Sequence, residues 1–302
     1  MPQLPLPPWL RVKLPGGGQY YAVRERLGAQ GLHTVCEEAR CPNLAQCWGG
    51  GTATFMILGK VCTRGCRFCD VTSGRPPLPP DPGEPARVAD AAAAMQLRHV
   101  VVTSVDRDEL ADQGSGHFVA VVAALKQRLP LAVVELLTPD FQGDPAALAA
   151  VATSGAEVLA HNLETVASLT EKLRDRRCSY ALSLDVLRAY RAADPVLLVK
   201  SSLMLGLGES TDEVLQALGD LREAGVDWVT LGQYLRPTRK HLPVERFVPP
   251  EEFDALAEQA RALGFALVHA GPLVRSSYRA GEQGAAELIA QRRGRVCDLT
   301  AS

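Results

Sequence analysis

The sequence predicts an α/β fold: a partial (β/α)6-type TIM barrel with an N-terminal and a C-terminal extension. Three observations support this. Short, continuous, largely β-branched apolar runs recur from Thr54 onward, as parallel strands buried on both faces require. Helical segments with start and stop signals lie between them, so the strands are joined by crossovers and covered by helices. Six or more such units fall between residues 54 and 270, which favours a barrel; an open doubly wound sheet stays the alternative, because periodicity does not reveal closure.

In chain order, residues 1–53 form the N-terminal extension. Pro2, Pro5, Pro7, Pro8 and Pro15 followed by Gly16–Gly18 suggest an extended arm, with a short helix near Tyr21–Gln30. Strands are expected at Thr54–Leu58, His99–Thr103, Ala132–Leu137, Glu157–Ala160, Val196–Leu203, Val226–Leu231 and Phe265–Val268. Helices are expected at Arg87–Leu97, after a Pro-rich linker, and at His117–Leu129, before Pro130. Asp144 and Pro145 supply an N-cap and a first-position proline for a helix that stops near Gly155. Ser210 and Glu213 have capping-box spacing and open a helix ending at Gly225. Pro250-Glu251-Glu252 opens another that ends at Gly264. Residues 271–302 form a Gly- and Arg-rich C-terminal extension with helical character near Gly284–Arg292.

The bulk numbers restrict function. A chain of 302 residues with 47% hydrophobic and 22% charged content is ordinary for a globular protein. Its net charge of −2 points to no nucleic-acid partner. No apolar run of about 18 residues exists, so no membrane span is expected. Neither a signal peptide nor a transit peptide is legible at the start, so the expected location is cytoplasmic. Thiols stay reduced there, and clustered cysteines read as metal or redox ligands.

Six of the eight cysteines lie between Cys36 and Cys69, in two triplets each one ligand short of a four-ligand site. Cys62, Cys66 and Cys69 form C-x3-C-x2-C just beyond the first strand, at the C-terminal end of the sheet where such folds place their chemistry. Gly65 permits the tight reversal that brings three sulfurs together. Three thiols on one loop with no nearby histidine fit zinc poorly. A [4Fe–4S] cluster with one iron free of protein fits better. Such an iron can bind an amine and a carboxylate, as in the methionine part of S-adenosyl-L-methionine, and electron transfer to the sulfonium then yields a carbon radical. The loop resembles the signature of the radical S-adenosylmethionine superfamily.

The first triplet, Cys36, Cys41 and Cys47, is C-x4-C-x5-C within H-T-V-C-E-E-A-R-C-P-N and C-W-G-G-G-T-A-T-F-M-I-L. These words resemble the lipoyl synthases. So do T-S-V-D-R-D-E-L at Thr103–Leu110, H-N-L-E-T-V at His161–Val166, M-L-G-L-G-E at Met204–Glu209, Gly232–Glu245, and G-P-L-V-R-S-S-Y at Gly271–Tyr278. The resemblance implies two [4Fe–4S] clusters, the auxiliary one held by the first triplet and by Ser277, the second serine of R-S-S-Y. It implies that a 5′-deoxyadenosyl radical removes hydrogen at C6 and then C8 of a protein-bound octanoyl chain, with sulfur taken from the auxiliary cluster. Such C–H bonds have no acidic proton, which is why a radical is required. The implied partners are octanoylated lipoyl carrier domains, of a 2-oxoacid dehydrogenase or the glycine-cleavage H protein, and flavodoxin or ferredoxin as electron donor. The other readings are a different radical sulfur-inserting enzyme with an auxiliary cluster and an iron–sulfur electron carrier, which the long β/α body disfavours.

Further residues join these expectations. Asp106, Arg107 and Asp108, with Ser104, follow the second strand and would bind the methionine ammonium and carboxylate. Asn162 and Glu164 are candidates for the ribose hydroxyls or the cofactor carboxylate, and Lys200 for neutralising a carboxylate. Gly206, Gly208 and Glu209 would admit adenine close to the backbone, and Arg275 would hold the ligand serines. Trp48 and Gly49–Gly51 would pack the first triplet's loop. Ser202 stands where the family commonly has glycine, and Cys178 and Cys297 read as plain thiols. Arg236, Arg239, Lys240 and His241, with Arg292, Arg293 and Arg295, are candidate docking patches for an acidic carrier. If Ser277 serves the first triplet, the tail folds back over the mouth of the barrel.

Overall fold

The structure, a computed structural model, describes residues 5–11, 31–34, 54–277 and 284–300, with Glu25, Gly28 and Asn43 as single positions and the side chains of the last helix up to Gly294. The expected helix near Tyr21–Gln30 apart from Glu25 and Gly28, which are helical, Trp48 with Gly49–Gly51, the first cysteine triplet, and the side chains of Arg295 and Cys297 lie outside the described residues.

One eight-stranded sheet organises the molecule. In spatial order it runs β1 (His33–Thr34), β2 (Thr54–Ile57), β3 (His99–Ser104), β4 (Val133–Leu137), β5 (Val158–Ala160), β6 (Leu198–Leu205), β7 (Trp228–Gln233) and β8 (Leu267–Gly271). From β2 to β8 every neighbour is parallel, and β1 is antiparallel to β2 with His33 opposite Met56. Among the described residues β8 pairs with neither β1 nor β2, so the sheet is open. The seven parallel strands stand at the seven positions expected. A separate two-stranded ladder, Val61–Cys62 with Thr72–Ser73, flanks the cysteine loop.

The outer face packs against six helices: α1 (Glu84–Ala94), α2 (Ser115–Arg128), α3 (Pro145–Ala152), α4 (Tyr180–Ala193), α5 (Thr211–Glu223) and α6 (Pro250–Ala262). Local signals fix their limits. Asp144 accepts from Ala146 N at 2.8 Å and Ala147 N at 3.3 Å, and Ser210 closes a full capping box with Glu213. α1 and α2 each begin a few residues earlier than expected, and α4 was not anticipated at all.

Val100, Val102, Val134, Leu136, Val199 and Val229 join the outer core with these helices, and the intervening Val101, Val158, Leu198 and Trp228 face the other way. There they meet Ala285 and Ile289 of α7 (Ala285–Thr300). Arg292 donates to Leu197 O and to both oxygens of Asp227, and Arg293 pairs with Glu157 at 3.1 Å. Those partners immediately precede β6, β7 and β5. The tail helix therefore closes the floor of the sheet, at the strand N-termini, and not the mouth as expected. The same pairs tie Arg292 and Arg293 to the floor, Arg293 remaining largely exposed.

Candidate active site at the strand C-termini

The residues just past Ile57, Ser104, Leu137, Ala160, Leu205 and Gln233 gather at one end of the sheet. The cysteine loop is anchored there by Arg64, whose side chain is only 2% exposed. Its guanidinium donates to both oxygens of Asp140 at 2.6 and 2.7 Å and to Asp108 at 2.8 Å, and lies 3.2 Å from Asp106. Three carboxylates from the ends of two strands thus converge on one fork, a geometry that arginine supplies and lysine does not. Burial alone would raise the Asp108 and Asp140 carboxyls, but the hydrogen bonds from Arg64 outweigh it and hold both below the usual range. Asp106 is pushed up to about 6, by burial first, against the pull of Arg64.

The thiols sit in a field of backbone donors. Arg64 N and Asp106 N each approach Cys62 Sγ at 3.4 Å, and Asp175 N approaches Cys66 Sγ at 3.3 Å. Backbone N–H groups aimed at sulfur suit thiolates that ligate iron. Without a cation the thiols are held neutral. Burial, then the charge of Asp106, pushes Cys62 up to about 12, and burial pushes Cys69 up to about 11. A bound cluster would take the place of those protons. Among the described residues no three potential ligands are drawn together into a metal site.

Cys178 is buried against this loop rather than being an incidental thiol. Arg64 Nη1 reaches its sulfur at 3.3 Å, and the interaction with Cys66 holds the Cys178 thiol low while raising that of Cys66. Asp175 accepts from Gly65 N at 2.9 Å and pairs with Arg177, which also reaches Asp108 and Thr63 O. Arg64, Asp140, Asp175 and Arg177 were not anticipated. Arg64 lies 76 residues from Asp140, and only its place inside C-x3-C hinted at a role.

The expected cofactor residues divide. Ser104 Oγ and Asn162 Oδ1 are buried without a hydrogen-bond partner among the described residues. Asn162 donates to Glu164 at 3.1 Å, and burial raises the Glu164 carboxyl. Glu164 holds a left-handed φ of 70°, and Leu58, at the end of β2, one of 68°. Both are strained backbone positions at the mouth.

Other expected residues are engaged by the chain itself. Arg107 donates to Leu58 O and Leu78 O, both at 2.9 Å, and pairs with Glu109, stapling two loops. Lys200, the third residue of β6, stands opposite Ala160 at the end of β5 and Trp228 at the start of β7. Burial requires a partner for its ammonium, which it finds in Glu135 at 2.7 Å, with the Trp228 ring beneath it. Gly206 does permit a close approach, but by the chain itself: a Cβ there would fall 2.2 Å from Gln233 Nε2 and 2.4 Å from Arg246 O. Glu209 accepts from Gly206 N and Leu207 N, so its carboxylate holds this turn. Gly208, at φ 111°, faces Glu245.

The segment after β8 turns across the inner face of the sheet. A Cβ on Gly232 would meet Val274 O at 2.1 Å, so glycine is required where this chain crosses β7. Arg275 donates to Val274 O at 2.7 Å. Ser277 Oγ accepts from Thr54 Oγ1 at 2.9 Å, and Asn43 Nδ2 donates to Leu273 O at 2.5 Å. Ser277 is thereby brought against the start of β2, and Leu273 against Asn43.

Residues 56–221 match the model of the radical SAM superfamily, and residues 2–41 match that of the N-terminal domain of lipoyl synthase of the same family. The chain is 57% identical to a lipoyl synthase of Pyrobaculum calidifontis over 92% of this chain and 95% of that one. It is 53% identical to a mitochondrial lipoyl synthase of Phaeodactylum tricornutum, over 99% of this chain and 79% of that one. Among solved structures it is similar to methylornithine synthase, with a TM-score of 0.56 at 19% identity, covering 71% of this chain and 63% of the other. A maturase of the [FeFe]-hydrogenase gives a TM-score of 0.57 at 14% identity, over 71% and 50%. These last two likenesses concern the fold.

Proposed function

Because the chain belongs to the lipoyl synthase family of the radical S-adenosylmethionine superfamily, we propose that it inserts two sulfur atoms, at C6 and C8, into the octanoyl chain of a lipoyl carrier domain. The single observation that supports this best is positional. The C-x3-C-x2-C loop and the loops carrying Ser104 and Asn162 share the strand C-termini, while Ser277 is folded onto the inner face of the same sheet.

Cys62, Cys66 and Cys69 would hold one [4Fe–4S] cluster. Cys36, Cys41 and Cys47 with Ser277 would hold the second. When bound, these groups and S-adenosylmethionine supply one-electron reduction, a carbon-centred radical and transferable sulfur. The chain's own residues do the rest. The N–H groups of Arg64, Asp106 and Asp175 stabilise anionic sulfur, and Arg64 locks the loop to three strand-end carboxylates. Ser104 Oγ and Asn162 Oδ1 offer hydrogen bonds to the polar parts of the cofactor. Serine is a harder and weaker ligand for iron than thiolate, which suits a position that must be released.

The test is anaerobic reconstitution, followed by incubation with S-adenosylmethionine, dithionite and an octanoyl-lysyl carrier peptide. Roughly eight irons per chain are expected, with 5′-deoxyadenosine and a peptide that has gained two sulfurs. Iron for one cluster, or cofactor cleavage without sulfur transfer, would contradict the reading.

A further inference from the structure

Three segments meet on the outer side of the cysteine loop. Arg67 N donates to Leu173 O at 2.8 Å, and Arg67 Nη1 to Lys172 O at 3.2 Å. On the other flank His241 Nε2 donates to Cys69 O at 3.0 Å, and Leu242 N approaches Arg67 O at 3.5 Å. Residues 64–70, 171–177 and 236–242 thus form one continuous rim. Arg67, Lys172, Arg176, Arg239 and Lys240 are exposed on it, and Arg236 is half-buried. Of the acids in these segments, Asp175 is paired with Arg177 and Asp70 lies 3.8 Å from His241, which leaves Glu171. None of the five exposed cations has a carboxylate partner among the described residues. The chain as a whole carries −2, so this rim is a local segregation of positive charge.

We propose that the rim is the docking surface for an acidic one-electron carrier protein, which reduces the group held by Cys62, Cys66 and Cys69. The inference rests on the proposed function for the identity of that group. Each docking event would oxidise the donor by one electron and reduce the bound group by one, with no bond made or broken. Position favours an electron carrier over the octanoylated domain. The rim lies on the outside of the loop, whose three thiols are half-buried and not sealed, and electron tunnelling falls steeply with distance. The acyl chain must instead reach the inner face of the sheet, where Ser277 lies. Opposed charge then accelerates encounter and fixes orientation.

The test compares the full chain with a Lys172→Glu, Arg239→Glu, Lys240→Glu variant, using a flavodoxin and a plant-type ferredoxin as probes. Binding is followed by calorimetry at low and high salt. Turnover is measured with the donor protein and, separately, with dithionite, which needs no docking surface. Binding to the original chain should weaken with salt. The variant should lose about tenfold or more in donor affinity and donor-driven rate, with dithionite-driven 5′-deoxyadenosine formation and the KM for the carrier peptide unchanged. Unchanged donor binding overturns the proposal. So does a raised carrier KM under dithionite with donor binding intact, which would assign the rim to the substrate protein. The binding arm does not depend on sulfur transfer, so a chain that binds donor yet inserts no sulfur refutes the functional reading alone.

Discussion

His161 follows β5 and is enclosed by groups that fix its proton. Its Nδ1 faces Thr138 O at 2.9 Å, and a carbonyl can only accept, so Nδ1 carries hydrogen. Nε2 then accepts from Ser183 Oγ at 3.0 Å, while Arg174 donates to that same hydroxyl at 2.6 Å. Burial, and next the charge of Arg174, pushes the ring down to about 4. The folded pKa lies below the unfolded one, so the unfolded chain takes up a proton first as pH falls. The stability that depends on neutral His161 is complete above pH ~6.5 and is lost toward pH ~4, about 2 kcal/mol of it by pH 5. Urea unfolding at pH 7 and pH 5 should show His161→Gln losing less between the two than the original chain; equal losses would exclude His161 as the source. Arg64 is the other decisive residue. Arg64→Met strands Asp106, Asp108 and Asp140 around an apolar side chain. It should cost about 3–5 kcal/mol, as removal of one partner from a buried ion pair does. A loss under about 1 kcal/mol in denaturant titration would mean that water or another cation replaces it.

At the scale of elements, α7 acts as a plug. Its Ala285 and Ile289 are the contacts that Val101, Val158, Leu198 and Trp228 find on the inner face. Ile289 is 4% exposed, so Ile289→Ala should destabilise the fold by about 2–5 kcal/mol. If the denaturation midpoint does not move, the floor is closed by something other than this helix. The elements also show what a sequence can reveal. The strands were legible because parallel strands buried on both faces must be continuously apolar. α3, α5 and α6 were legible because their caps are local, as Asp144 and Ser210 show. α4 went unrecognised because the Arg-rich run before Ser179 resembles a variable loop, although Ser179 caps the helix by accepting from Leu182 N. The cysteine loop could be read from its spacing alone. The fork of Arg64 on Asp140 could not, because nothing in a linear pattern joins residues that only the sheet brings together. The pairing of Lys200 with Glu135 was hidden for a related reason: which strand residues face one another depends on register, which emerges only with the neighbouring strands.

For the molecule as a whole, the two ends of the chain matter most where they meet. Thr54 Oγ1 donates to Ser277 Oγ across 223 residues, and Asn43 Nδ2 donates to Leu273 O across 230. Asn43 and Ser277 are therefore tied to one segment, Leu273–Ser277, which reaches the start of β2, while the loop of Cys62, Cys66 and Cys69 stands at the mouth. This separation predicts that two functions divide under mutation. Ser277→Ala removes the hydroxyl that would complete the second cluster and leaves the mouth untouched. Reconstituted iron should fall toward the content of a single cluster, and sulfur transfer should disappear. The 5′-deoxyadenosine formed with dithionite should stay within a few-fold of the original. Thr54→Val serves as the control for packing, since it removes only a neutral hydrogen bond worth about 1 kcal/mol and should leave iron content and sulfur transfer largely intact. Ser277→Cys should restore iron, because a thiolate is the better ligand, and yet transfer sulfur poorly, because the better ligand is released less readily. Equal loss of cofactor cleavage and sulfur transfer in Ser277→Ala would place Ser277 in the general architecture of the inner face and remove it from the set of ligands.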